Sequence, residues 1–102
     1  MKDIKYLAHR IEEELEDAEG YALEALKHKE SNHALAQTLY DISKQELGHT
    51  EMLHAQAVKL IKEYRETGAP VPASMQAVWD WEHEKMIEHT NRIKILYDMF
   101  RS

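Results

Sequence analysis

Apolar residues recur at three- and four-residue steps in three blocks of the chain. The first block carries Ile4, Leu7, Ile11, Ala18, Tyr21 and Ala25, the a and d positions of a heptad, and predicts a helix over about 4–29. Glu30-Ser31-Asn32 breaks the pattern and supplies cap residues for a second helix over about 32–67, with Leu35, Leu39, Ile42, Leu53 and Leu60 on its seam. At 1.5 Å per residue this helix is roughly 50 Å long. Gly68-Ala69-Pro70-Val71-Pro72 ends it, since proline has no amide hydrogen to continue the ladder. A third helix over about 73–100 places Met75, Trp79, Met86, Ile93, Leu96 and Phe100 along its seam. Both connections are short, so consecutive helices are antiparallel neighbours: an all-α, up-down-up bundle made of a long hairpin and a third helix. No repeat, low-complexity tract or linker divides residues 1–102, which read as one domain.

Composition agrees with helices. Hydrophobic residues make up 43% and charged residues 31%, with three Gly and two Pro. A chain of 102 residues buries only about two thirds of its unfolded surface, a modest core that a second chain would enlarge. Cysteine is absent, which excludes disulfides and thiolate metal sites and leaves His and carboxylates as the ligands for any metal. A net charge of −6 argues against nucleic acid and anionic membranes as partners, and favours cations. The opening Met1-Lys2-Asp3-Ile4 has no apolar signal core, and no stretch is apolar enough to span a bilayer, so the expected compartment is the cytoplasm.

Each seam is interrupted by polar residues where the pattern calls for apolar ones. Glu14 stands between Ile11 and Ala18, Glu46 and His49 stand between Ile42 and Leu53, and Glu82 and His89 occupy successive d positions of the third helix. A carboxylate facing a dry core costs several kcal/mol unless it is protonated, paired or bound to a metal. No Lys or Arg stands on the central part of these seams. Counting outward from a first turn at Glu30 and Ser31, Glu14 and Glu46 are level, with His49 one turn away on the same face. Counting across the second turn brings His89 opposite His49, while Glu82 falls about 10 Å off that level. The expected cluster is Glu14, Glu46, His49 and His89. Glu88, one position off the seam, is a reserve ligand if the third helix is rotated.

Glu46-Leu47-Gly48-His49 is an E-x-x-H motif, whose i, i+3 spacing aims a carboxylate and an imidazole at one point, as metal-binding bundles require. The pattern also occurs at Glu30 to His33 and at Glu51 to His54, but only the Glu46 copy has both members on the seam. With Glu13-Glu14-Leu15-Glu16 and Tyr21 on the first helix and Glu46 and His49 on the second, the chain resembles the ferritin-like proteins, in particular the half-sized encapsulated ferritins and rubrerythrin-type domains. The resemblance covers roughly residues 11–61. It implies iron binding by Glu14, Glu46 and His49 with Tyr21 close to the site, oxidation of iron(II) by oxygen, and a site completed by pairing two chains.

Charge counting points the same way. Two divalent ions carry four positive charges, whereas one chain offers two seam carboxylates and two chains offer four. The expectation is therefore a di-iron carboxylate site at the interface of a homodimer or larger homo-oligomer, with manganese or zinc as other ions that suit oxygen and imidazole ligands. A second apolar stripe on helix 2, Tyr40, Leu47, His54 and Ile61, and Trp81 with Ile95 on helix 3, also point to association. Gly20 and Gly48 cost about 1 kcal/mol each inside helices, which is tolerable where another helix comes close. Two other classes compete: a mononuclear site of Glu14, Glu46, His49 and His89 in one chain, and a non-catalytic helical interaction module whose seam glutamates set register.

Overall fold

Capping chemistry fixes where the helices begin and end. The Asn32 side chain accepts a hydrogen bond from the Leu35 amide at 3.1 Å and starts the second helix. Gly68, at φ 78°, takes the left-handed conformation that ends it, and Pro72 stands at the cap of the third. The computed structural model describes residues 2–102, without the side chains of Lys2, Ser74 and Met75, so the expected seam position Met75 lies outside the described residues. It contains α1 (Lys2–His28), α2 (His33–Glu66) and α3 (Ala73–Arg101), and no strand among the described residues. None of these helices is long and apolar enough to cross a membrane.

The three helices form an up-down-up bundle, a rod of 57 × 18 × 18 Å, with α1 packed against both others. The centre of the α1–α2 contact is made of small residues. Ala36, Ser43, Thr50 and Ala57 recur every seven positions on α2, all buried, and Ala18, Ala22 and Ala25 are buried on α1. Small side chains let the two backbones approach. Ser43 Oγ donates to the Ala18 carbonyl at 2.5 Å and lies 2.8 Å from the Tyr97 hydroxyl, tying all three helices at one level.

The buried face of α2 is thus rotated by about one position from the seam expected from its leucines. Leu35 is exposed, and Leu39, Ile42, Leu53 and Leu60 are half-buried on one flank of the true contact. The other flank is Tyr40, Leu47, His54 and Ile61. Its covering is α3 of the same chain: Tyr40 stacks on Phe100 at 4.6 Å and packs on Tyr97 at 5.2 Å, and His54 stacks on His83 at 5.1 Å. This stripe is therefore no evidence of a second chain, contrary to the expectation from sequence. Gly20 and Gly48 also differ from expectation, because no other helix of the chain comes within 4 Å of a side chain built there.

The α2–α3 gap is bridged by side chains rather than by close backbones. Along α1, in contrast, α3 is held by polar contacts: Lys85 lies 3.8 Å from Glu12, His89 2.5 Å from Glu19, and Lys29 Nζ donates to the Ser102 carbonyl at 2.7 Å.

Candidate metal centre

Glu14 lies on the flank of α1 that faces α2 and turns away from α3, and Glu46 meets it from α2. Antiparallel packing makes them level. His49 follows one turn after Glu46, and one ligand atom from each of Glu14, Glu46 and His49 lies within 4.8 Å of the other two. His49 Nδ1 is 3.6 Å from Glu14 Oε2 and 3.6 Å from Glu46 Oε2. Burial is graded across the cluster: the side chains are 11%, 22% and 56% exposed for Glu14, Glu46 and His49. The imidazole is the rim of the site, and Glu14 is its floor.

The two carboxyls are not equivalent. Glu14 Oε1 is held by Arg10 Nη2 at 2.7 Å, whereas Glu14 Oε2 is buried with no hydrogen-bond partner among the described residues. Two ionised carboxylates offer each other only lone pairs, so the cluster must recruit a proton or a cation. The neighbouring Glu46 carboxyl, with His49 and Arg10, holds Glu14 below the ordinary carboxylate range, and the Glu14 carboxyl, with burial, pushes Glu46 above it. Opposed shifts of this kind make Glu46 the first of the two to take up a proton as the pH falls.

Arg10 corrects the expectation that the seam glutamates have no cationic neighbour. It stands one position before the seam residue Ile11, and its guanidinium reaches along the helix surface to both Glu13 and Glu14. An i, i+4 pair of this kind is a helix-surface contact that a seam count passes over. His89 is the second difference. It is level with His49, as counted, but it faces α1 rather than the cluster, and its Nε2 lies 2.5 Å from Glu19 Oε2. The Glu19 carboxylate, also 3.5 Å from Arg92, captures it. Glu88 is exposed along the groove between α3 and α1 and does not reach the cluster. Glu82 pairs with Lys85 at 3.7 Å. Tyr21 lies two turns beyond Glu14 on the same flank, partly exposed, and its hydroxyl bonds to neither Glu14 nor Glu46.

The structure thus brings together Glu14, Glu46 and His49, and leaves His89 and Glu88 elsewhere. Around the cluster, the flank formed by Tyr21, Leu39, Ile42, Leu53 and Leu60 is half-covered, and α3 shields the opposite side of the hairpin. Chemically, the arrangement is a carboxylate pair and one imidazole opening on solvent. The chain matches no family model, and neither the curated proteins nor the solved structures contain a match to it.

Proposed function

We propose that this protein is a ferritin-like metal-binding protein in which Glu14, Glu46 and His49 hold a transition-metal ion, with a second copy supplying the other half of a di-iron carboxylate site. One observation carries the proposal: a buried glutamate oxygen without a partner, beside a second carboxylate and an imidazole, all within 4.8 Å. The donor set suits the ion. Carboxylate oxygen and imidazole nitrogen together favour iron, manganese or zinc over calcium or magnesium. Arg10 is no obstacle, because its Nη1 already holds Glu13 at 2.7 Å and keeps that pair if Glu14 turns to a metal.

When bound, iron(II) would be the species oxidised by oxygen. The chain's own residues do the rest: Glu14 and Glu46 offset positive charge, His49 orients through Nδ1, and the buried floor keeps water from one side of the site. A half-covered flank with His49 at its rim is the surface on which a second copy would complete the ligand set.

Titration with iron(II) under anaerobic conditions, read by metal analysis, tests the proposal. Wild-type protein is expected to bind about one ion per chain, with Glu46→Ala and His49→Ala each weakening binding by about tenfold or more. Failure of the wild type to retain metal, or variants that bind as tightly as the wild type, overturns it. Magnetic coupling between two irons separates the shared site from a mononuclear one. The Arg10–Glu14 pair favours one rival, a metal-free polar layer that fixes helix register; absence of metal binding with intact folding is its signature.

A further inference from the structure

The flank of α3 that borders α1 carries a second pattern that neither the core nor the metal cluster uses, although Lys85 and Arg92 on it also pair with Glu12 and Glu19 of α1 at 3.8 and 3.5 Å. Val78, Trp81, Lys85, Glu88, Arg92, Ile95 and Met99 follow one another at steps of three and four, the a and d positions of a heptad. Val78, Trp81, Ile95 and Met99 are each more than half exposed, and they are four of the five large apolar side chains that α3 leaves in solvent among the described residues. Scattered exposed apolar residues are ordinary, but alignment on one stripe about 30 Å long is the pattern of a seam.

The charges of the stripe say what covers it. Its ends are apolar and its middle reads Lys85, Glu88, Arg92: plus, minus, plus. Laid parallel on a second copy, each residue would meet its own kind, and like charges would face each other at all three central positions. Laid antiparallel, with a two-fold axis level with residues 86 and 87, a positions meet d positions. Val78 then meets Ile95 of the second copy, Trp81 meets Arg92, and Lys85 meets Glu88. The contacts repeat in reverse on the other side of the axis, as a two-fold interface requires. These three layers are complementary: apolar on apolar, aromatic ring on guanidinium, ammonium on carboxylate, with Met99 beyond the paired stretch. Trp81 already accepts a cation on its face, with Lys85 Nζ 4.1 Å from the ring centroid. Glu88 has no ion-pair partner within the chain among the described residues.

We propose that the Val78–Ile95 face of α3 is a self-complementary interface, which pairs antiparallel with the same face of a second copy. It lies on the far side of α1 from Glu14 and needs no metal.

Because the chain has no cysteine, single cysteines report the pairing without background. Val78→Cys and Ile95→Cys chains, metal-free in the presence of chelator, are mixed and treated with a short bis-maleimide. A heterodimeric cross-link between the two variants is expected, and none in either variant alone, since like positions lie about 25 Å apart in an antiparallel pair. Adding Glu88→Lys to both chains is expected to reduce the cross-link at least several-fold with helicity unchanged. Lys85→Glu in one chain against Glu88→Lys in the other is expected to restore it. Cross-linking of Val78→Cys with itself, no cross-link in the mixture, or a yield indifferent to Glu88→Lys overturns the proposal.

Discussion

Glu14 occupies a position between Ile11 and Ala18 that an apolar residue would fill at lower cost, and it lies opposite Glu46, a second acid. Burial opposes ionisation of both carboxyls, and the Arg10 guanidinium reaches Glu14 but not Glu46. Replacing buried, like-charged groups by apolar ones of similar size is commonly stabilising. Glu46→Leu is therefore expected to raise the stability of the metal-free protein by about 1–2 kcal/mol, or roughly 5–10 °C in Tm for a domain of this size, while abolishing metal uptake. Calorimetry in chelator checks it. A lower Tm in the variant would mean that the pair stabilises the fold by itself, as a register-setting layer does. A stabilised variant that no longer binds metal is the trade expected where a side chain is kept for chemistry.

Among the elements, the three helices and their turns were legible because helix signals are local: the Glu30-Ser31-Asn32 break, the Gly68 to Pro72 stop, and apolar steps of three and four. The level of Glu14 and Glu46 was legible for the same reason, since an antiparallel hairpin with a short turn leaves little freedom along its axis. Rotation about that axis was not. Leucines drew the seam of α2 toward Leu35 and Leu39, but the closest contact goes to Ala36, Ser43, Thr50 and Ala57, whose smallness is a virtue only once a neighbour's distance is known. The same small error in rotation hid α3 as the cover for Tyr40 and His54, and hid Glu19 as the partner of His89. Leu15, at 2% exposure among the most buried side chains, was missed because its position lies off the a and d steps and serves both α2 and α3.

The α2–α3 gap carries a pH dependence of its own. Burial pushes the His54 imidazole below the usual histidine range, and the neighbouring His83 lowers it further. Glu51 and Lys94 line the same groove. Above about pH 6.5 His54 is neutral both folded and unfolded, and its packing on Trp79 and His83 stabilises the bundle in full. As the pH falls through that value the unfolded chain takes up a proton that the native one resists, so stability is lost until the lower folded pKa is passed. His54→Phe keeps an aromatic ring in the gap and cannot charge. The expected outcome is that its Tm, relative to wild type, is level from pH 7.5 to about 6.5 and rises as the pH falls from there to 5. A constant difference across that range would show that His54 does not titrate with folding.

At the scale of the whole molecule, the two candidate association faces lie on opposite sides of α1: the half-covered α1–α2 flank with His49 at its rim, and the stripe on the flank of α3 that borders α1. They differ in what controls them. The first brings four carboxylates together when two copies meet, so it repels until cations arrive; the second sets each Glu88 against a Lys85 and each Arg92 against a Trp81 ring, and closes without them. Metal-free protein is therefore expected to be a dimer through α3, and iron(II) is expected to join dimers through the hairpin face. Two different two-fold interfaces on one chain build only even-numbered assemblies, either closed rings or open filaments. Light scattering on four samples resolves the logic. Wild type moves from dimer to larger even species on loading, His49→Ala stays dimeric, Glu88→Lys goes from monomer to dimer, and the double variant remains monomeric with or without iron. An iron-induced increase that survives His49→Ala would separate assembly from the cluster. A Glu88→Lys chain that is dimeric before loading would place the metal-free contact on another surface.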